Sequence, residues 1–473
     1  MLIKIPPGFI IERTYLLNTI FNEFLGLDFQ IESDTKPEYE IILQNKNSII
    51  IEDHFFCEFN DSLDYLNKKN IPEKISYCQN PFTIEKNIPI IYGSAEIIVQ
   101  DNGHKQIFCK TDFFADIFFM LTRWEEYVIS EKDEYGRFPE KLSLSIRNSI
   151  HRRPVVNEFI VMLWNMLQFL GYSGKPQKMK FEAIITHDVD EVIRNRNILK
   201  LIRILAGDLI LRKKPALIPI SIKNYIDIKT GVKKDNFDTF DFLMDESEKI
   251  QVKSHFYFLS QKKLTKKDIS CGSYDFRYDI SDPKVALIIQ NIRKRGHVVG
   301  VHGSYNSYNN RDLFSEELIK LEEIAGDITE GRQHYLRFSP PLTWEIESQC
   351  NIELDSTLGF SEEIGFRCGT CYRYPVFDFL KRKPLNLIEL PLTAMDVSLF
   401  KISKNPDDFY SHICSLIDTV KKFEGKFVLL WHNTNFNGYE WEPYKKYYSQ
   451  ILSYLGSFTN LVVDNEPYCK INK

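Results

Sequence analysis

Two carboxylates stand at the end of an apolar run, Ile184-Ile185-Thr186-His187-Asp188-Val189-Asp190. Side chains at i and i+2 of an extended chain point to the same side, so Asp188 and Asp190 can share one proton or one cation. His187 then faces the other way. A solvated turn or a helix cap would use the same residue types, and the chemical reading therefore depends on what else the chain brings to the place.

Three later segments repeat the pattern. Val298-Val299-Gly300-Val301-His302 is a short apolar strand with His302 at its exit, followed by Gly303-Ser304-Tyr305-Asn306. Tyr335-Leu336-Arg337-Phe338 reads as a strand ending near Arg337, stopped by Ser339-Pro340-Pro341. Phe427-Val428-Leu429-Leu430-Trp431 runs into His432. Each is a buried strand of the parallel type that ends in a residue able to transfer a proton or bind a metal. Such strand ends gather at one face of an α/β barrel.

In this order the segments resemble the polysaccharide deacetylases, the NodB-homology fold of carbohydrate esterase family 4. That family carries Thr-Phe-Asp-Asp, then Gly-His-Glu-Ile-Gly leading to His-Ser/Thr-x-x-His, then Arg-x-Pro, and Leu-x-His on its last strand. The variant Thr-His-Asp-Val-Asp, with Leu-Arg-Phe, Asp355-Ser356-Thr357-Leu358-Gly359-Phe360, Gly365-Phe366-Arg367 and Leu-Leu-Trp-His-Asn, is similar to a bacterial branch with an additional N-terminal domain. The resemblance covers residues 181–465. It implies an α/β fold, a distorted (β/α) barrel of NodB type, preceded here by a smaller α/β domain.

The resemblance also implies roles. Asp188 takes the general-base position, and Arg337 would pair with it and hold it ionised. His302 is the first metal-binding histidine, and His432 is the acid that protonates the leaving nitrogen. The family's metal-binding Asp directly follows the base, but that position is Val189 here, so Asp190 is assigned to the metal, with His187 in reserve. The second metal histidine falls on Asn306, whose amide oxygen is a weaker zinc ligand than imidazole or favours a harder ion. His334 is the other candidate for that place. Asp355 matches the residue that orients the acid histidine. The expected cofactor is a divalent metal, zinc first. The expected activity is metal-dependent hydrolysis of an N-acetyl amide on an amino sugar, in a glycan or in a lipid- or nucleotide-linked precursor. The competing reading is a NodB-like binding module, weakened at Asn306, that holds a saccharide or a partner without turnover.

Other residues invite chemistry less strongly. Trp431, Tyr305 and Trp344 are candidates for stacking on sugar faces, although large aromatics usually pack. Cys368-x-x-Cys371 has no second pair and no thioredoxin-like context. Glu389 would be needed for a barrel glycosidase.

The bulk composition narrows the partners. Sixty Lys and Arg against sixty-five Asp and Glu give a formal charge of −5, which recruits no nucleic acid. The nine cysteines are odd in number and scattered, as expected in a reducing compartment. Pro6 and Pro7 interrupt the first residues before an apolar core of signal-peptide length can form, and no apolar run reaches transmembrane length. A cytoplasmic setting is the expectation.

These strand ends need elements to position them, and the chain divides readily. Residues 1–175 read as the smaller unit: a helix over 9–28, extended pairs near 39–43 with 48–51 and 88–92 with 96–99, an apolar helix over 112–127, and a last helix over 155–170. It offers no histidine after an apolar strand, so it is expected to dock beside the barrel without supplying metal ligands. The charges at the end of the helix over 112–127 and in the loop Asp133-Glu134-Tyr135-Gly136-Arg137-Phe138 read as capping and interdomain salt bridges, with a functional surface as the alternative. Gly171-Tyr172-Ser173-Gly174-Lys175-Pro176 is the linker. The barrel unit spans 181–465, with an insertion at about 195–250. Within that insertion, residues 198–222 mix Ile and Leu with Lys200, Arg203, Arg212, Lys213 and Lys214, as an amphipathic helix touching a membrane surface or packing on the barrel would.

Overall fold

The computed structural model describes residues 1–194, 198–211, 213–260, 275, 278–437 and 441–458. The first residues of the expected insertion, Arg212 and the last stretch of the expected barrel beyond 458 lie outside them.

The N-terminal part builds one mixed sheet in the order β2-β1-β3-β4-β8-β7. Its strands are β1 (Leu2–Ile5), β2 (Gln30–Ser33), β3 (Glu38–Ile42), β4 (Ser48–Glu52), β7 (Gly93–Asp101) and β8 (Lys105–Thr111), with β5 (Ser76–Cys78) and β6 (Ile88–Ile90) forming a separate small pair. Strand β4, Ser-Ile-Ile-Ile-Glu, is apolar on both faces and lies inside the sheet, whereas the edge strand β7 is largely exposed. The helix Phe113–Thr122 is buried along its whole length and is capped by Asp112, which accepts from the Ala115 N–H at 3.0 Å. It stops where Arg123 turns left-handed (φ 54°) and restarts as Trp124–Val128.

The C-terminal part is a nine-stranded sheet in the order β14-β15-β13-β12-β11-β10-β9-β17-β16. Its strands are β9 (Glu182–Val189), β10 (Ser254–Leu259), β11 (Val298–Gly303), β12 (Glu330–Gln333), β13 (Leu354–Asp355), β14 (Tyr374–Asp378), β15 (Lys383–Glu389), β16 (Ala394–Met395) and β17 (Lys426–Leu430). All neighbours are parallel except β14 with β15. The register sets His302 beside Arg332 and Thr186 beside Leu430, so the C-terminal ends of β9, β11, β12 and β17 lie level at one face.

The barrel expectation needs correcting in one respect. Among the described residues the strand ladder does not close: β14 and β16 stand at its two edges and do not pair with each other. One stretch of chain joins the two ends instead: β15 pairs with β13, and four residues later β16 pairs with β17. On the way Leu390 N–H donates to Asp355 O at 2.8 Å, and Thr393 N–H donates to Val428 O at 3.1 Å. The sheet curls round a small separate core that includes Ile184, Leu354, Leu390 and Leu430.

Outside this curl the main core runs without a break from one sheet to the other. Tyr15 stacks on Phe377 at 4.7 Å, and Phe24 meets Tyr372 at 5.3 Å. Two arginines are clamped by buried N-terminal carboxylates: the buried Arg367, with Nη2 2.6 Å from Glu126 Oε2, and the partly exposed Arg382, with Nε 2.7 Å from Glu12 Oε1. Among the described residues, no helix is long and apolar enough to cross a membrane.

Candidate metal centre

All eight residues of β9 are buried, and the strand's alternation sorts its polar side chains between two faces. His187 points to the outer face. Its Nδ1 lies 2.7 Å from Trp431 O and its Nε2 lies 3.3 Å from Ser254 Oγ, against the ring of Phe256. Burial pulls it down to about 3, so it is a neutral core histidine and not a reserve ligand.

Thr186 and Asp188 face the curl. Asp188 Oδ1 accepts from Arg332 Nη1 at 3.0 Å, and the same nitrogen donates to Thr186 Oγ1 at 2.8 Å. The rest of the guanidinium is fixed as well: Nε donates to Ser356 O, Nη2 to Ser356 Oγ, and the plane lies 4.7 Å from the Tyr257 ring centroid. A buried arginine with this many partners is a rigid clamp on one carboxylate oxygen. The other oxygen, Asp188 Oδ2, lies 3.6 Å from His302 Nε2.

Asp190 leaves the strand one residue later and meets two histidines. Its Oδ1 lies 3.6 Å from His302 Nε2 and 3.4 Å from His334 Nε2, and it makes no hydrogen bond of ordinary geometry. The three donor atoms all lie within 4.8 Å of one another. The far nitrogen of each ring is already occupied: His302 Nδ1 lies 2.8 Å from Arg332 O, and His334 Nδ1 lies 2.8 Å from Asp275 Oδ1. Metal-binding imidazoles are held in this way, with one nitrogen tied to a carbonyl or carboxylate and the other turned inward. Two ligands of a tetrahedral zinc are themselves roughly 3.3 Å apart, given bonds of about 2.0–2.1 Å. The orphaned oxygen lies close to that spacing from each of its two imidazole neighbours, and the three together suit a divalent ion.

The electrostatics agree. Burial pushes Asp190 up, but His334, His302 and His432 outweigh it and hold the carboxyl well below its ordinary range. Burial pulls His334 down, yet Asp190 and Asp275 together raise it to about 9. His432, at the exit of β17, is raised to about 10 against its burial, chiefly by Asp396 and then by Asp190 and Asp188.

Three expectations are corrected at this site. Arg337 does not pair with Asp188. Its guanidinium is sandwiched 3.8 Å from the Tyr305 ring centroid and 4.2 Å from that of Tyr308, and it donates to Tyr305 O and, at 3.2 Å, to Asn306 Oδ1. The reason is that Tyr335-Leu336-Arg337-Phe338 is not a strand. Strand β12 ends at Gln333, and Tyr335 and Leu336 turn left-handed (φ 59° and 54°), which carries Arg337 out of the curl. Asn306 is spent on Arg337 and opens the short 3-10 turn Ser307–Asn309, away from the three converging atoms. Asp355 is sealed in the core beside Thr357, and the residue bonded to His432 is Asp396, at 2.8 Å.

The remaining candidates are structural. Trp431 and Trp344 are fully buried, and Trp344 Nε1 donates to Glu389 Oε2 at 2.9 Å. Glu389 is buried, and that burial, with Asp355 beside it, pushes its carboxyl well above the ordinary range, out of reach of any glycoside. Burial pushes both thiols of Cys368 and Cys371 far up, leaving them unreactive.

A cavity of about 260 Å³ opens over the centre. Asp188, Asp190, His334 and His432 line one side, and Tyr135 and Arg137 from the N-terminal loop line the other. Asp133 folds that loop by accepting from the N–H groups of Tyr135 and Arg137. Two bonds dock it: Tyr305 Oη donates to Tyr135 O at 2.9 Å, and Arg137 Nη1 donates to Tyr335 O at 3.0 Å. Tyr135 stacks on Tyr335 at 5.1 Å. The loop was legible as a charged turn, but nothing in the sequence pointed it at the pocket.

Comparison with known proteins adds the following. Residues 1–172 match the model of a family of unknown function (DUF7033), which ends where the linker begins. No curated protein matches the chain. Three solved structures align with it at a TM-score of 0.38. One is a candidate polysaccharide deacetylase from Mycobacterium smegmatis, at 13% identity over 61% of this chain and 88% of that one. The second is a PuuE allantoinase, at 12% over 61% and 90%. The third is a candidate polysaccharide deacetylase from Pseudomonas aeruginosa PAO1, at 12% over 62% and 92%.

Proposed function

We propose that this chain is a metal-dependent hydrolase that removes the acetyl group from the nitrogen of an amino sugar in a glycan or glycan precursor. The observation that carries the proposal is the meeting of two sets of residues in one pocket. Asp190, His302 and His334 would hold the ion, zinc first among divalent metals given two imidazoles and a carboxylate. Asp188 and His432 flank that place, each held by a partner of its own.

When bound, the ion would polarise the amide carbonyl and lower the pKa of a water. The chain supplies the rest. Asp188, oriented by Arg332, accepts the proton of the attacking water at Oδ2. His432, kept an imidazolium by Asp396, gives its Nε2 proton to the departing nitrogen. The pocket wall of Tyr135, Arg137 and Tyr335 excludes bulk water and orients the sugar. A reading as a catalytically silent binding module rested on Asn306 at the second histidine position. His334 offers an imidazole to the same Asp190 oxygen, which favours turnover.

The resemblance of the segments that end in Asp188 and Asp190, in His302 and in His432 supports the amide and the amino sugar. The described cysteines, all free, accord with a cytoplasmic setting.

The test is acetate release from N-acetylated amino-sugar oligomers by the full chain, with metal content measured in parallel. One ion per chain is expected, with release abolished by chelation and restored by zinc. Asp188→Asn should keep the ion and lose nearly all turnover, whereas His302→Ala should lose both. Release that survives chelation and both substitutions would end this reading.

A further inference from the structure

We propose that the insertion after Asp190 docks the protein on an anionic phospholipid bilayer, with the catalytic face turned toward it. Nine of the twenty-one large apolar side chains that stand exposed among the described residues fall within 198–232. On the helix Ile198–Ala206 and its continuation Gly207–Leu211, Ile198, Leu199, Ile202, Leu209 and Ile210 are 54–66% exposed. Their spacing of one, three, seven and one residues places them along a single stripe, and Leu201 turns the other way into the protein. Among the described residues, nothing covers this stripe.

Charge selects the occupant. Residues 198–234 hold nine Lys and Arg against two Asp, in a chain whose formal charge is −5. Arg203, Lys213, Lys214 and Lys223 are exposed beside the stripe, and Asp208 is turned inward to accept from Ser221 Oγ at 2.8 Å. An apolar stripe rimmed by lysine and arginine matches the acyl boundary and headgroups of an anionic leaflet.

The roots of the insertion give this surface its orientation. It leaves β9 just after Asp190, and its ends are tied together where Arg194 N–H donates to Asp235 Oδ1 at 2.8 Å. Asn433, next to His432, donates from Nδ2 to Glu191 O at 2.8 Å and to Phe237 O at 3.1 Å. The docking helices are thus anchored on the loops that carry Asp190 and His432, and a bound membrane would lie at the catalytic face.

The test is sedimentation of the full chain with vesicles of phosphatidylcholine, with and without phosphatidylglycerol. Binding is expected to the anionic vesicles, to weaken with salt, and to fall at least tenfold in Ile202→Asp/Ile210→Asp. The charge reversal Arg203→Glu/Lys213→Glu/Lys214→Glu leaves the stripe intact and should abolish the preference for phosphatidylglycerol. Circular dichroism melting of each variant guards against misfolding, and two variants in different chemistries keep the test decisive. Wild-type protein that ignores both vesicles overturns the proposal. So does unchanged binding in either folded variant, or a dimer in light scattering that the Asp substitutions dissolve, since the stripe would then join two copies of the chain.

Discussion

Asp396 grips His432 at two points: Oδ2 accepts the backbone N–H at 2.9 Å, and Oδ1 lies 2.8 Å from Nδ1. Asn435 Nδ2 steadies the carboxylate by donating to Oδ2 at 2.8 Å. The ring is fixed with Nε2 toward Asp190 Oδ2, 3.9 Å away, and Asp396, then Asp190 and Asp188, raise the imidazole to about 10 against its burial. A histidine held in this way is an acid at every physiological pH.

Replacing Asp396 with Asn removes the charge and keeps the shape. The pKa of His432 should then fall from about 10 toward its ordinary value, so the alkaline limb of the rate profile moves to lower pH. A drop in kcat of about a hundredfold at pH 8 is expected, the scale of losing a general acid. An unmoved alkaline limb in kcat against pH would assign that limb to another group and remove His432 from the acid role.

Metal uptake should itself depend on pH, because an ion and a proton compete for His334 Nε2. In the metal-free protein His334 stays protonated to about pH 9, while Asp190 remains ionised throughout. Apparent affinity should therefore rise about tenfold per pH unit below 9 and level off above it. Calorimetry in two buffers of different ionisation enthalpy should find a proton expelled for each ion bound at pH 7. Uptake with no proton release would exclude His334 as a ligand.

The two arginines should separate cleanly. Arg332→Met leaves Asp188 buried without its cation and Ser356 without its donor, a change that costs about 3–5 kcal/mol in comparable buried pairs. Its midpoint in urea should fall accordingly. Arg337→Ala loses two ring contacts and the hydrogen bonds to Tyr305 O and Asn306 Oδ1 at a buried position, so stability should drop by about 1–3 kcal/mol with metal stoichiometry unchanged. Loss of the ion in Arg337→Ala and not in Arg332→Met would reverse these assignments.

How far the site could be read from sequence follows from burial. Asp188, Asp190, His302 and His432 were visible because each ends a strand of Ile, Val, Leu or Phe, whose apolar run advertises a parallel sheet buried on both faces. Strand β12 hid Arg332 because its sequence, Glu-Gly-Arg-Gln, contains no apolar side chain, although all four residues are buried. Its burial is offset by partners distant in sequence: Glu330 with His255, Arg332 with Asp188, and Gln333 with Glu347. The one local clue was that Arg332 stands two residues before His334, as on one face of a strand. Asp396 follows a strand of two residues, too short to leave a pattern. In the N-terminal part the paired strands 38–42 and 48–52 and the helices showed their periodicity, but the docking of the loop 133–138 depends on shape alone.

That loop yields the last prediction. Gly136 has φ +73°, and a Cβ added there would lie 2.8 Å from Arg337 Nη2. Gly136→Ala therefore meets two obstacles: a left-handed backbone that costs an alanine about 1 kcal/mol, and a guanidinium locked between Tyr305 and Tyr308. The loop should lift, which breaks the Tyr135–Tyr335 stack and moves Arg137 away from the pocket. None of these residues holds the ion or moves a proton in the proposed reaction. KM for an N-acetylated amino-sugar oligomer should rise at least fivefold, with metal stoichiometry unchanged and kcat altered by less than KM. An unchanged KM in a variant whose melting temperature has dropped would show that the loop only braces the two sheets, and that the wall facing the substrate lies elsewhere.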